Sequence, residues 1–162
     1  MRARKFWGWG YEDELLTSEE ENNIDKRIAK TFELDSVERI EIPKIENVNL
    51  PESSLKSPNS LKAIISNDKL ERLNHTYGKS FPDSARSILG QFPAPPDFVA
   101  FPDSEEDITN ILDWASSNDI AVIPYGGGSS VCGGVETNVG DDYNGVTVSY
   151  THLRAHETEA DL

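Results

Sequence analysis

The chain has 162 residues and a formal net charge of −14 at pH 7, from 29 acidic and 15 basic residues. This excess of negative charge argues against nucleic acid or an anionic membrane as a partner. No apolar run is long enough to cross a bilayer, and the single cysteine, Cys132, excludes an internal disulfide. With no recognisable signal peptide, these features predict a cytoplasmic protein.

Residues 1–60 are rich in charge and poor in apolar periodicity, which predicts a polar, partly helical N-terminal extension. Within it we expect a polar helix over 12–30, a short amphipathic helical segment over 32–40 and a solvated linker over 53–60. The aromatic segment Phe6-Trp-Gly-Trp-Gly-Tyr11 precedes them. We expect its rings to dock on protein sequence outside this chain, with lipid contact as the alternative.

Residues 61–148 contain most of the apolar positions. Their pattern predicts helices over 67–76, 83–89 and 104–117 and strands over 97–101, 120–124 and 145–149. Ser104 is a good N-cap, and Asp107 completes an approximate capping box. Strand, helix and strand over 97–124 form a βαβ unit with parallel strands, so the fold class is α+β. His75 falls in the first of these helices, where it packs or caps rather than catalyses, and no catalytic residue is assigned.

A glycine-rich stretch follows the strand at 120–124, and we refer to residues 125–134 as the glycine loop. Glycine lets backbone N–H groups turn toward a ligand through positive φ, and successive N–H groups in such a turn form an anion-binding concavity. Ser129 and Ser130 add hydroxyl donors. The loop is therefore predicted to hold a phosphate or pyrophosphate.

Charge and spacing narrow this prediction. No lysine or arginine occurs between Arg86 and Arg154, whereas ten acidic residues do. Backbone amides or a helix N-terminus would then have to neutralise a bound phosphate. No Lys-Ser/Thr pair follows the glycines, which excludes a Walker A loop, and the turn-like residues after Val135 exclude a dinucleotide fingerprint that opens a long helix.

The stretch Pro124-Tyr-Gly-Gly-Gly-Ser-Ser-Val131 resembles the pyrophosphate-binding loop of flavoproteins of the vanillyl-alcohol oxidase and p-cresol methylhydroxylase (PCMH) type. The strand at 95–102 and the helix from Ser104 also resemble that family. The opening Trp7-Gly-Trp-Gly-Tyr11 resembles the alkyldihydroxyacetonephosphate synthase branch.

This resemblance implies that 61–148 form an incomplete PCMH-type FAD-binding domain with FAD as cofactor. The implied cofactor-binding residues are Pro124, Tyr125, Gly126, Gly127, Gly128, Ser129, Ser130, Val131 and Gly134. In the synthase branch, the complete enzyme would exchange an acyl group for a fatty alcohol in ether-lipid synthesis, through a flavin N5 adduct on a small, lipid-like substrate. Two alternatives stay open: an FAD-linked dehydrogenase of D-2-hydroxy acids such as lactate or glycolate, and a truncated fragment with no activity of its own.

The C-terminal tail departs from the family pattern. Residues 150–158 resemble a translated sequencing adapter, so 149–162 are predicted to be artefactual. His152 and His156 stand four residues apart there, but the zinc-protease pattern His-Glu-x-x-His is not met. No metal site is expected.

Overall fold

The computed structural model describes residues 4–140 and 142–148, so the predictions made for 149–162 lie outside the described residues. Within this part of the chain, one mixed sheet contains the strands β1 (Ile65–Ser66), β2 (Phe98–Ala100), β3 (Ile120–Pro124) and β4 (Asn144–Val148). The helices are α1 (Ser18–Phe32), α2 (Lys69–Asn74), α3 (Phe81–Ile88) and α4 (Glu105–Ser116), and Ile45–Asn47 form a short 3-10 turn. The predicted α+β class is confirmed.

The sheet has the order β1-β2-β4-β3. β4 pairs in parallel with both β2 and β3, while β1 pairs antiparallel to β2. The βαβ unit of β2, α4 and β3 therefore has parallel strands, as predicted, but β4 lies between them. The two-residue strand β1 was not predicted.

Caps explain where the helices begin. Ser104 Oγ accepts a hydrogen bond from Asp107 N (3.1 Å), as expected, although the Asp107 carboxylate bonds to Asp103 N (3.1 Å) rather than to the Ser104 amide. Thr17 and Glu20 form a capping box that starts α1 later than the predicted residue 12. Ser80 and Asp83 form another at the start of α3.

The prediction of a helical segment over 32–40 is wrong. Glu33 adopts a left-handed conformation (φ +53°) that ends α1 and reverses the chain. The returning segment is held on α1 by Arg39, which donates to Glu21 (2.6 Å) and Asp25 (2.8 Å). Since α1 has no buried residue, it contributes little to the core.

The first hydrophobic cluster lies between the sheet and α4 and contains Leu61, Ala100, Ile111, Ala115, Ile120 and Val146. Leu55 packs against it, and Ser54 N donates to Asp97 Oδ1 (2.7 Å). The 53–60 segment thus contacts the sheet, and its interpretation as a solvated linker is wrong in this respect.

The second cluster joins the N-terminal segment to the rest of the chain and contains Phe6, Val48, Leu73, Tyr77 and Phe92. Phe6 is 5% exposed, and its ring centroid lies 6.1 Å from that of Phe92. Trp7 packs against the same cluster, whereas Trp9 is 59% exposed. The expectation that these rings dock outside the chain is wrong for Phe6 and Trp7, because residues of α2 and of the segment after α3 already provide their apolar surface.

Candidate functional site

The glycine loop begins where β3 ends, beside its parallel neighbour β4. The carboxyl ends of parallel strands share one edge of a sheet, and ligands of open α/β sheets bind in the crevice outside that edge. The exposed Pro124 closes the strand and pairs with Val148 in the register of β4. The topology therefore places the loop at the edge where a ligand is expected.

The backbone of the loop has the conformation that its glycines permit. Gly126, Gly128 and Gly133 have φ of +59°, +68° and +78°. A Cβ atom built on Gly126, Gly127 or Gly133 would meet no atom within 4 Å, so the surface of the loop is open at these positions. Ser129 and Val131 are exposed between them.

Several backbone donors of the loop are available to a ligand. Gly128 N donates to Tyr125 O (3.2 Å) in a tight turn. In the described part of the chain, the N–H groups of Gly127, Ser129 and Val131 have no hydrogen-bond acceptor. An open surface with unpaired N–H groups can cradle a phosphate or pyrophosphate. Its chemistry fits the diphosphate of a flavin dinucleotide.

The Tyr125 side chain anchors the beginning of the loop to the body of the protein. This side chain is buried, and its hydroxyl lies 2.6 Å from both Asn74 O and Tyr77 O. Burial raises the pKa of this hydroxyl above its usual value, so the group stays a neutral donor. The ring also stands against the Cα of Gly128, where an added Cβ would overlap it. The Tyr125 side chain is thus directed into the protein.

The turn between α2 and α3 supports the middle of the loop. Lys79 N donates to Ser130 O (2.6 Å), and the Cα of Gly78 lies so close to Ser130 O that an added Cβ would overlap it. Nothing in the sequence pattern predicted this contact. The adjacent Gly78-Lys79 pair was the available signal, since a glycine that allows close approach is not otherwise needed at the end of α2.

The segment after the loop is fixed to the same region. Thr137 Oγ1 donates to Ala94 O (2.6 Å). Arg86 pairs with Glu136 (2.7 Å) and with the buried Asp83 (2.7 Å), and its guanidinium lies 4.3 Å from the centre of the Tyr77 ring. Burial opposes ionisation of Asp83, but hydrogen bonds from Ser80 and Arg86 outweigh it and lower the pKa of this carboxyl. Both ends of the loop are therefore anchored while its glycines stay open.

His75 lies beneath the loop as the C-cap residue of α2. Its ring centroid is 4.6 Å from that of Tyr125, and its Nδ1–H donates to Glu71 O (2.8 Å). Burial lowers the pKa of His75 and raises that of Glu71. It therefore disfavours the charged form of both side chains, although His75 Nδ1 lies 3.7 Å from Glu71 Oε2. The predicted packing and capping role is confirmed.

One basic side chain reaches the loop from outside the acidic stretch. Arg4 Nη1 donates to Gly127 O (3.3 Å), across 123 residues of sequence. Burial lowers the pKa of Lys79, the positive charge of Arg4 lowers it further, and the negative charge of Asp83 opposes this shift. Arg4 thus adds a positive charge at the loop, and the inference that backbone groups would neutralise a bound phosphate stays a prediction.

The described residues contain neither a candidate metal site nor a candidate membrane-spanning helix. Among residues 4–140 and 142–148, no group of three or more His, Cys, Asp or Glu side chains could hold a metal ion. The described helices include none that is long and apolar enough to cross a membrane.

Comparison with known proteins identifies the class. A family model described as an FAD binding domain matches residues 96–161, which include β2, α4, β3, the glycine loop and β4. A solved structure titled alkyldihydroxyacetonephosphate synthase in P1 superposes with a TM-score of 0.69 at 23% identity, over 90% of this chain and 32% of that one. The chain therefore has the fold of a PCMH-type FAD-binding domain.

The chain is similar, more particularly, to alkyldihydroxyacetonephosphate synthases. It is 34% identical to the Dictyostelium discoideum enzyme over 112 residues and 35% identical to the Trypanosoma brucei brucei enzyme over 96 residues. A second solved structure of this title, in P212121, has a TM-score of 0.70 at 25% identity. The matched regions cover 66% and 55% of this chain but only 18% and 16% of the two curated relatives.

Proposed function

We propose that the glycine loop binds FAD through its diphosphate. The observation that carries this proposal is the open backbone of the loop, where the N–H groups of Gly127, Ser129 and Val131 lack acceptors within the described chain. Phosphate oxygens would accept these hydrogen bonds, and charge-assisted bonds of this kind are stronger than neutral ones. The match to an FAD binding domain favours the flavin dinucleotide over other diphosphates.

The nine residues predicted to bind the cofactor divide into two roles in this proposal. The diphosphate is contacted, through backbone or hydroxyl groups, by Gly126, Gly127, Ser129, Ser130 and Val131. The path of the chain is set by Pro124, Tyr125, Gly128 and Gly134. The Tyr125 hydroxyl donates to Tyr77 O and so holds the loop on the protein, and Gly128 has room only for a hydrogen atom beside the Tyr125 ring.

We further propose that a protein of the relatives' full length catalyses acyl-to-alkyl exchange on a phosphate-bearing lipid precursor. The similarity to the curated synthases supports this activity, as does the ordered packing of the Phe6 and Trp7 segment on the domain. FAD, when bound, supplies the flavin ring as the reacting group. The residues of this chain bind and orient the cofactor, and none of them is assigned a proton-transfer role.

A titration of the 162-residue chain with FAD tests the cofactor proposal. Gly127 does not have positive φ, and a Cβ there meets nothing within 4 Å, so Gly127→Val leaves the fold intact while filling the ligand's space. We expect quenching of flavin fluorescence with the unmodified chain and none with Gly127→Val, at equal thermal stability. Equal FAD binding by both proteins contradicts the proposal.

The reaction proposal has its own test in a protein of the relatives' length. It should not reduce an artificial electron acceptor with D-lactate or glycolate. Robust dye reduction by either acid would establish the dehydrogenase alternative instead.

A further inference from the structure

The N-terminal turn between Arg4 and Tyr11 places one arginine beside the glycine loop. The turn is closed by the antiparallel bridge between these two residues and by the hydrogen bond from Lys5 N to Gly10 O (3.1 Å). Phe6, which follows Arg4 closely in the sequence, is buried in the second cluster and so fixes the turn on the domain. The position of Arg4 is therefore set by packing that does not involve the loop.

The Arg4 side chain contacts the backbone of the loop directly. Arg4 Nη1 donates to Gly127 O (3.3 Å), and the N and O atoms of one residue are at most about 3.6 Å apart. The guanidinium nitrogen therefore lies within about 7 Å of Gly127 N, whose N–H has no acceptor among the described residues. This separation is shorter than the Debye length of about 8 Å at physiological salt, so salt screens the charge of Arg4 only partly at that N–H.

The positive charge of Arg4 is not paired elsewhere in the described part of the chain. None of the ion pairs among residues 4–140 and 142–148 includes Arg4, and its acceptor at Gly127 is a neutral carbonyl. A guanidinium has five N–H donors, of which this contact uses one. Donors and a positive charge are therefore left for an anionic ligand of the loop.

The charges around the loop make a cation there useful to such a ligand. Arg86, another arginine of this region, donates to both Asp83 (2.7 Å) and Glu136 (2.7 Å) and is neutralised by them. No lysine or arginine occurs between Arg86 and Arg154, a stretch that is rich in acidic residues. A positive charge beside the loop lowers the cost of bringing an anion into that negative field.

A purely structural role is the competing explanation for the contact. A single hydrogen bond of 3.3 Å between exposed groups contributes little to stability. The loop is already held by the Tyr125 hydroxyl and by Lys79 N, which donates to Ser130 O. A charged side chain that reaches this loop across 123 residues of sequence is therefore better explained by a ligand than by support of the loop.

We propose that Arg4 is a cofactor-binding residue, whose guanidinium supplies positive charge to the diphosphate of the dinucleotide held at the glycine loop. This inference rests on the proposed function for the class of ligand, and it adds a binding residue that lies outside the glycine motif. It also couples the N-terminal turn to the cofactor. Because such coupling is reciprocal, bound FAD should stabilise the turn as much as the turn stabilises bound FAD.

The test compares three variants of the full 162-residue chain. Arg4→Gln removes the charge but keeps an amide that can donate to Gly127 O, whereas Arg4→Lys keeps the charge. Lys62→Gln is the matched control, because it removes an equal charge from an exposed turn before β1, at the sheet edge opposite β3. Loss of one charge-assisted contact should weaken FAD binding about tenfold in Arg4→Gln, while Arg4→Lys should stay close to the unmodified chain.

Binding is measured by titration with FAD, inorganic pyrophosphate and riboflavin, at low and at high salt. The affinities for FAD and pyrophosphate should fall together in Arg4→Gln, and the difference from the unmodified chain should shrink at high salt. Riboflavin, which has no phosphate, should not distinguish the variants. The ligand-free Arg4→Gln and Lys62→Gln proteins should have the same melting temperature.

Three results would overturn the role of Arg4. The first is Arg4→Gln binding FAD as tightly as Lys62→Gln does. The second is Arg4→Lys binding as weakly as Arg4→Gln, because the contact would then depend on shape rather than on charge. The third is weaker FAD binding by Arg4→Gln together with a lower melting temperature than that of Lys62→Gln, because Arg4 would then only support the loop.

This proposal and the proposed cofactor fail in distinguishable ways. FAD binding that is unaffected by Arg4→Gln refutes the role of Arg4 and leaves the glycine loop as the flavin site. Pyrophosphate binding that depends on Arg4, without FAD binding, supports the role of Arg4 and refutes the cofactor. A chain that binds neither FAD nor pyrophosphate refutes both.

Discussion

Replacement of Gly128 by alanine tests how the glycine loop is held on its support. Gly128 has φ +68°, and a Cβ there would overlap the Tyr125 ring. Gly133 provides the matched control, because its φ is +78° but a Cβ there meets nothing within 4 Å. Both substitutions introduce left-handed strain, and only one also displaces a buried side chain.

The expected magnitudes follow from these two effects. Left-handed backbone costs a non-glycine residue about 1–2 kcal/mol, which is the whole effect expected for Gly133→Ala. Overpacking adds about 1–3 kcal/mol, so Gly128→Ala should lower the free energy of unfolding by about 2–5 kcal/mol in total. Displacement of Tyr125 also loosens its hydroxyl bonds to Asn74 O and Tyr77 O.

Urea unfolding followed by tryptophan fluorescence measures the difference. Trp114 is a suitable probe, since its ring centroid lies 6.4 Å from that of Phe98 beside the first cluster. We expect Gly128→Ala to unfold at a lower urea concentration than Gly133→Ala. If Gly128→Ala is already unfolded without urea while Gly133→Ala is folded, the expected difference is at its largest. Equal losses for the two variants would refute the packing of Tyr125 beneath the loop.

Two further predictions concern the groups that anchor the loop. Because burial lowers the pKa of His75 below its usual 6.5, the unfolded chain takes up a proton that the folded chain does not. The free energy of unfolding should fall as the pH drops below 6.5, with a slope of at most about 1.4 kcal/mol per pH unit from this group. His75→Gln should remove this component, and an unchanged pH profile in that variant contradicts the assignment. In the ion-pair cluster, Asp83→Asn should destabilise the chain more than Glu136→Gln, because the Asp83 side chain is 3% exposed and that of Glu136 is 31% exposed. Thermal melts compare the two variants, and a larger loss for Glu136→Gln would show that the partly exposed pair is the stronger one.

Local patterns in the sequence predicted the elements that depend on local physics. Ser104 predicted the start of α4, and the apolar run at 120–124 predicted β3 with its bounds. The insertion of β4 between β2 and β3 depends on strand pairing across the chain, which periodicity does not encode. β1 has only two residues, too few for any alternation to be detected.

The same division holds at the candidate site. Five glycines and two serines identified the loop, because the backbone conformation they permit is a local property. Its supports were not predicted, since they join residues far apart in sequence: Tyr125 with Tyr77 across 48 positions and Arg4 with Gly127 across 123. The approach of Arg4 to the loop could not be predicted either, because the local sequence there shows only the acidic stretch.

Amide chemical-shift mapping during an FAD titration tests the central claim most directly. Spectra of ¹⁵N-labelled chain should show the largest shifts at the N–H groups of Gly127, Ser129 and Val131, which lack acceptors in the described chain. Amides of α1, whose residues are not buried in the domain, serve as the internal reference. Saturable shifts centred on the three loop amides are the predicted result. Unchanged loop amides at FAD concentrations that shift other parts of the chain would contradict the assignment of the glycine loop as the flavin site.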